Sequence, residues 1–586
     1  MRERCNVKCD WSRGSMGCIR ERQFSTDSVS SRGAPHIDDA VFDLYRNPES
    51  ETLSSSGLLK LLYETGIRRD DPRLANFLHA IRHDERRQSV SDLASTEVIN
   101  ENLDRETFKR YVSDAIGIIA KALKKQLVIP DWPAFISVIG EIFESCRDLD
   151  DGNVATYIPQ LARSDPKTWA MSVCTVDGQR RSWGATQIPF CLQSVSKPFT
   201  YAIAMDELGA EEVHRYIGQE PSGRLFNEIC LDHNHKPHNP MINAGAILVA
   251  SLIKRSNSIA DRFDFALQYF KRFAAGGFVG FNNAVFLSER ETADRNYALS
   301  YYMREHKCFP PKTSLQDTLD LYFQLCAIET NVDTLAVMAA TLANGGVSPL
   351  SEERVVCNRA VRDTLSLMYS CGMYDYSGQF AFKVGLPAKS GVSGDMIIVV
   401  PNVMGICLYS PPLDQLGNTV RGVRFAEQFV EKFNFHNYDS LVYSETHKID
   451  PRKKIREVKH ESVSNMMYAA TTGDISSIQR YLLLGVSVAE RDYDDRTVLH
   501  VAAAHGNENV LKFLLQRWQE SPDPLDRYGR TPLDDAKVFG HGTCVEILEK
   551  ALEKYTMKAQ EKNGPTETHV VHSKYQKNNA VKLHPA

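Results

Sequence analysis

Apolar and polar positions divide the chain into three regimes. From about Ala40 to Leu127 the apolar residues recur on helix faces: Leu58, Leu59, Leu61 and Leu62 first, then Ala115, Ile116, Ile118, Ile119 and Leu123. Ser55 or Ser56 is placed to cap the first of these helices. From about Val128 to Tyr443, strand and helix signals alternate. The run Ala170–Val176, followed by Asp177-Gly178, predicts a hairpin with a tight turn. Met396–Val400 and Val403–Tyr409 predict a second pair, bent at Pro401-Asn402. Between the two lie mostly helical patterns, among them the alanine-rich run Ala336–Leu342. Strands at both ends of a segment with helices between them predict an α+β domain whose antiparallel sheet is assembled from distant parts of the chain.

After Asp450-Pro451-Arg452-Lys453-Lys454 the composition becomes charged and linker-like, and a repeat follows. Ala469-Ala470, Ala502-Ala503 and Ala536-Lys537 each precede a glycine turn, at spacings of 33 and 34 residues. Arg496–Ala502 and Arg530–Ala536 fit the ankyrin consensus at that period, so most of these residues are read as packing between repeats, with an unspecified protein partner. The domains predicted are 1–35, a transit or disordered segment; 36–127, a helical accessory or oligomerisation module; 128–445, the catalytic domain; 446–462, a linker; 463–552, ankyrin repeats; and 553–586, a polar, lysine-rich disordered tail.

Composition narrows the function classes. The chain has 586 residues, 42% hydrophobic and 24% charged, the balance of a globular protein with at least one large core. A net charge of -5 with no basic stripe gives no reason to expect nucleic acid. No run reaches the roughly 18–20 apolar residues of a membrane span. The 13 cysteines include no Cys-x-x-Cys pair, so zinc and dithiol chemistry are not expected and no metal is assigned. Asp148–Asn153 resembles the start of a calcium loop, but Asn153 and Pro159 stand where glycine and glutamate are required. The first 35 residues are arginine- and serine-rich without the apolar stretch of a secretory signal. Arg22–Thr26 suits a processing site after an organellar transit peptide, a disordered tail being the alternative.

The candidate chemistry lies in Phe190–Thr200. Ser194 and Lys197 stand three residues apart at the start of an apolar helix, and Pro198 is tolerated only in its first turn. A hydroxyl there sits at the positive end of the helix dipole, with the lysine amine on the same face. This is a serine–lysine pair for acyl transfer, a pattern that also occurs by chance as a capped helix start. Cys191 is read as a core residue. Four further elements could complete the site: Lys389-Ser390-Gly391 before a strand, a Val392 N–H opposing that of Ser194 across an oxyanion, Asn243, and the Tyr374 phenol. Taken singly, Asn243 also reads as a helix cap, Tyr374 as a turn aromatic and Lys389 as a surface charge.

Together these stretches resemble a known family. Phe190–Pro198 (FCLQSVSKP), His238–Ile247 (HNPMINAGAI), Ser288–Asn296 (SERETADRN), Leu321–Thr330 (LYFQLCAIET), Cys371–Phe382 (CGMYDYSGQFAF) and Val384–Val392 (VGLPAKSGV) resemble the glutaminases, in particular the animal kidney-type, phosphate-activated form. The resemblance implies a serine β-lactamase/DD-peptidase-like catalytic domain with an N-terminal helical bundle and C-terminal ankyrin repeats. It also implies hydrolysis of L-glutamine to L-glutamate and ammonia. On that basis Ser194 is the nucleophile, Lys197 the base, Tyr374 and Tyr322 the proton relay, and Val392 an oxyanion donor. Glu289 meets the substrate ammonium, and Tyr157, Gln193, Asn243, Asn296 and Tyr322 shape the rest of the pocket. The resemblance further implies no cofactor, inorganic phosphate as activator, a mitochondrial location (alternatively cytoplasmic), and a homotetramer able to form filaments. Two departures stand out. Glu228 replaces a lysine in the loop at about 223–236, whose Ile229, Cys230 and Leu231 are implied to reach a tetramer interface near Tyr302. Asp395 replaces a glycine near the oxyanion donor. A penicillin-recognising serine hydrolase and a catalytically inactive ankyrin scaffold are the alternative readings.

Overall fold

The computed structural model describes residues 37–47, 50–79, 102–223, 228–442, 448–453, 455–483, 486–518 and 521–562. The predicted transit segment and its processing site lie outside them. The chain divides into two compact units: residues up to 58 with 76–120, and 59–75 with 121–586. The expected boundary at 127/128 is therefore corrected, because residues 59–75 belong with the larger unit. Gly66 and Arg73 explain why: the Gly66 carbonyl accepts from the Arg180 N–H, and the Arg73 guanidinium donates to the Asp177 carbonyl at 3.0 Å.

In the smaller unit, strands β1 (Leu53–Ser54) and β2 (Asn102–Leu103) pair antiparallel, Leu53 opposite Leu103. The helices Ile37–Tyr45 and Arg105–Val112 pack through Phe42 and Phe108, whose ring centroids are 5.6 Å apart. The next helix, Ser55–Glu64, is capped by neither predicted serine. Both lie inside it, and Ser54 Oγ accepts from the Gly57 N–H instead.

The larger unit is built on a five-stranded antiparallel sheet ordered β4-β3-β10-β9-β8. Its strands are β3 (Ala170–Thr175), β4 (Arg180–Gly184), β8 (Ala388–Ser390), β9 (Asp395–Val400) and β10 (Met404–Tyr409). Both predicted hairpins form, β3 with β4 and β9 with β10, and β10 pairs with β3 across more than 200 residues of sequence. Alternation assigns the two faces. Ala170, Cys174, Ile397, Val399 and Cys407 pack with the helix Val332–Ala343, while Met171, Val173, Ile398, Val400 and Ile406 pack with the helices Trp132–Ser145 and Val420–Lys432. Gly405 lets the alanine-rich helix lie directly on β10, since a Cβ there would meet the Ala340 nitrogen at 2.2 Å.

A second, three-stranded sheet joins β5 (Phe190–Cys191), β6 (Gly280–Phe281) and β7 (Ile328–Thr330) in the order β5-β7-β6. It fixes the chain entering Ser194: β5 pairs with β7, and the Leu192 N–H donates to the Ile328 carbonyl at 2.9 Å.

The repeats fold as stacked helix pairs from Ile455–Thr472 to Gly542–Lys562. Thr531 and Asp534 form a capping box with Pro532 at the first helical position, and His500 Nε2 bonds the Arg530 carbonyl of the following repeat. The predicted linker 446–462 is helical from Ile455, and the tail expected as disordered from 553 is helical through Lys562, the rest lying outside the described residues. Glu546 and Lys550, four residues apart, and Lys550 and Glu553, three apart, have the opposite-charge spacing that supports a helix there.

Candidate active site

Ser194 sits in a one-turn 3-10 segment, Gln193–Val195, that leads into the helix Ser196–Leu208. The start is where Pro198 required it. Gln193 (φ 45°) and Tyr374 (φ 52°) both adopt the left-handed region without being glycine, a backbone cost that the surrounding packing sustains around Ser194.

Lys197 is buried, and its Nζ lies 3.1 Å from Ser194 Oγ and 2.7 Å from Asn243 Oδ1. Burial draws its pKa from 10.5 down to about 8, against the opposing influence of Cys326 and Glu289. A neutral amine can donate one N–H to Asn243 and keep its lone pair for the Ser194 hydroxyl. Asn243 begins the helix Asn243–Leu252 but makes no capping bond; its amide bridges Lys197 and Asn296, donating to Asn296 Oδ1 at 3.3 Å. The cap reading of Asn243 is thus replaced by a positioning one.

Tyr374 opens the 3-10 segment Tyr374–Tyr376 and is buried. Burial pushes its phenol well above the usual range while the neighbouring Ser194 hydroxyl opposes this, so the group stays protonated and able to donate. Lys389, expected as a surface charge if not functional, is instead completely buried. Its Nζ stands 4.2 Å from the Tyr374 ring centroid and donates to the Ser390 carbonyl at 2.7 Å. Burial, and then the proximity of Lys197, hold its pKa far below that of a free lysine. The Lys-Ser-Gly motif pointed to Lys389, but its stacking under Tyr374 depends on two segments that only the sheet brings together.

The substrate-side residues also converge. The Tyr157 hydroxyl donates to Glu289 Oε1 at 2.6 Å, and Gln193 Nε2 donates to the same oxygen at 3.0 Å. The Tyr157 ring is half-exposed, with its hydroxyl turned inward. Burial raises the Glu289 pKa, while the two donors and Lys197 oppose the rise and favour the carboxylate. Tyr322 lies buried on the helix Leu315–Cys326, its phenol raised by burial and by the adjacent Cys326 thiol. Cys326, which also interacts with Ser196, has no motif signal in the sequence. Cys191 is buried with its thiol raised by desolvation, and its Sγ faces the Ala327 carbonyl, as befits a core residue.

Val392 is in the turn between β8 and β9, both of which pack against the Ser194 segment. Among the described residues no acceptor takes its N–H. A cleft of about 770 Å³ opens beside Tyr374, lined also by Gly223, Glu228, Asn239, Met241 and Ile242. No group of three or more potential metal ligands occurs among the described residues, and no described helix is long and apolar enough to cross a membrane.

A buried serine, a lysine made basic in its neutral form, a protonated phenol and a free backbone donor form a set for nucleophilic acyl transfer. Comparison with known proteins agrees. The family model described as Glutaminase matches residues 152–438, that for ankyrin repeats 466–558, and one described as an EF-hand domain 37–130. The last match covers the helical module, not the calcium-like sequence at 148–153. A Caenorhabditis elegans protein whose name places it among the glutaminases is 61% identical over 529 residues, 90% of this chain and 89% of that one. The mitochondrial liver-isoform glutaminase of Rattus norvegicus is 46% identical over 556 residues, 95% of this chain and 90% of that one. A solved chain titled as a glutaminase, ybaS, is 35% identical, covering 51% of this chain and 96% of that one with a TM-score of 0.49. With full-length relatives at such identity and the site residues assembled as described, the chain belongs to the glutaminase family.

Proposed function

We propose that this chain hydrolyses L-glutamine to L-glutamate and ammonia through an acyl-enzyme on Ser194. The observation that carries the reading is the contact between Lys197 Nζ and Ser194 Oγ, 3.1 Å apart with the lysine buried and its pKa lowered to about 8. Neutral Lys197 takes the hydroxyl proton as Ser194 Oγ attacks the side-chain amide carbon. The Ser194 and Val392 N–H groups stabilise the oxyanion, each for about 10²–10³ in rate. Tyr374, with Tyr322 beside it, passes a proton to the departing ammonia. Water then adds to the glutamyl ester, and the same groups act in reverse order. Glu289 binds the substrate ammonium, with Tyr157, Gln193, Asn243 and Asn296 completing the pocket. The reaction uses no cofactor.

The test is ammonia release from glutamine, asparagine and a β-lactam by wild type and Ser194→Ala. Glutamine-selective turnover that vanishes in the variant supports the reading. Undiminished turnover in Ser194→Ala overturns it, and turnover of the β-lactam alone favours the penicillin-recognising alternative. Inorganic phosphate as activator, a homotetramer able to form filaments, a mitochondrial location and a protein partner at the repeats belong to the same proposal. Kinship with the mitochondrial rat isoform and the match to ankyrin repeats support the last two.

A further inference from the structure

Behind Val392 lies a second buried polar group that the mechanism above does not use. Asp395, the first residue of β9, is completely buried. Its Oδ1 is 2.6 Å from Ser393 Oγ, which is itself 2.7 Å from the Cys191 carbonyl oxygen, and its Oδ2 has no hydrogen-bond partner. The Ser393 hydroxyl carries one hydrogen. The Cys191 carbonyl can only accept, so both short contacts are hydrogen bonds only if Ser393 donates to Cys191 and Asp395 donates to Ser393. An ionised Asp395 would draw the Ser393 hydrogen to itself, leaving the Cys191 oxygen facing a bare oxygen. The unpartnered Oδ2 points the same way, since a buried carbonyl oxygen is far less costly to leave unpaired than half of a buried carboxylate.

The turn between the strands is shaped around this carboxyl. The Gly391 N–H donates to the Asp395 carbonyl at 2.8 Å, and the Gly394 N–H donates to the Gly391 carbonyl at 3.0 Å. A Cβ on Gly391 would meet Asp395 Oδ1 at 2.0 Å, so glycine there admits the acid. Val392 is carried between these two bonds, and the Ser393–Cys191 contact ties the turn to the strand that enters Ser194.

We propose that Asp395 is a positioning residue: as a neutral acid it donates to Ser393, Ser393 donates to Cys191, and this latch holds the Val392 N–H where the oxyanion forms. Ionisation of Asp395 breaks the latch and brings a negative charge towards the oxyanion, so turnover falls as the acid ionises. The inference rests on the reading of Val392 as an oxyanion donor. Burial sets the acid in a range where this matters, raising its pKa from 3.8 to about 7 against the lowering effects of Ser393, its own backbone N–H and Lys389. The titratable groups facing it are Lys389 on β8, Tyr374, Cys191 on β5, and Cys407 and Tyr409 on β10. The thiols and phenols among them are raised by burial, which leaves Asp395 and Lys389 as the groups able to change charge.

The experiment measures kcat and KM for glutamine between about pH 6 and pH 9 for wild type, Asp395→Asn, Asp395→Ala and Ser393→Ala. Because Lys197 contributes equally to wild type and Asp395→Asn, their kcat ratio isolates the Asp395 limb. Asp395→Asn keeps a neutral donor towards Ser393, so it rescues the turnover lost in Asp395→Ala. Its kcat relative to wild type should rise about tenfold or more between pH 6 and pH 9. Ser393→Ala lowers kcat at pH 6 with KM little changed, and its deficit relative to wild type shrinks towards pH 9, where the wild-type latch is also broken; it carries the test if Asp395→Asn does not fold by circular dichroism. A kcat ratio that stays flat with pH, at any level of activity, overturns the proposal. Ser194→Ala is run alongside: turnover there overturns the nucleophile reading on which the pocket assignment depends, whereas a flat ratio with an inactive Ser194→Ala overturns the latch alone.

Discussion

Replacing Lys197 tests whether burial of this one amine is what makes it a base. Its pKa falls from 10.5 to about 8, mainly by desolvation. At about 1.36 kcal/mol per pH unit, that difference is a penalty of about 3 kcal/mol on the charged form. The native state therefore binds fewer protons than the unfolded chain between those two values. Stability should rise with pH through this window and level off above it, while below about pH 8 the full penalty applies. Lys197→Met removes the penalty and fills a similar volume. It should stabilise the protein by about 3 kcal/mol at pH 7, with the gain shrinking towards zero near pH 11, while abolishing turnover. Urea denaturation of wild type and variant at both pH values measures this, with ammonia release as the activity control. The converse perturbation is Asn243→Asp, which sets a carboxylate where Oδ1 now lies 2.7 Å from Nζ. An ion pair there should raise the Lys197 pKa by roughly 2 units and cut kcat at pH 8 by about 50-fold, with recovery at higher pH. A Lys197→Met gain independent of pH, together with an unmoved acid limb in Asn243→Asp, would refute the reasoning.

Three further outcomes follow from the same geometry. Glu289→Gln removes the carboxylate proposed to meet the substrate ammonium, and kcat/KM for glutamine should fall about 10–100-fold, chiefly through KM; an unchanged KM would reassign the subsite. Gly405→Ala drives a methyl into the backbone of the helix Val332–Ala343 and should destabilise the larger unit by about 1–3 kcal/mol, read as a lower denaturation midpoint. Glu228→Lys places a cation at the cleft that Glu228 lines and should increase the response of kcat to inorganic phosphate; an identical response would show that this loop position does not tune it.

Local pattern was enough to locate Ser194 and Lys197, because a proline tolerated only in the first turn fixes a helix start, and i, i+3 spacing fixes a shared face. It was also enough for both hairpins, whose turn residues and apolar runs are adjacent in sequence. The repeats were legible for the same reason, since each unit restates its own capping and turn chemistry. Element ends were less so. Ser54 rather than Ser55 or Ser56 caps its helix, and the last repeat helix runs to Lys562, because a helix end is settled by a few competing hydrogen bonds.

The amino-acid sequence by itself placed Ser194 and Lys197 together at a helix start and set the order of the domains. Only the tertiary structure decided which of the candidate groups titrate usefully. Lys389, taken singly, reads as a surface charge until β8 carries it beneath Tyr374, and Asp395 reads only as a departure near the oxyanion donor until the turn at Gly391 closes over its carboxyl. The reason is physical: spacing along a chain records periodicity, whereas a pKa depends on how much water the rest of the fold removes, and that comes from segments hundreds of residues apart.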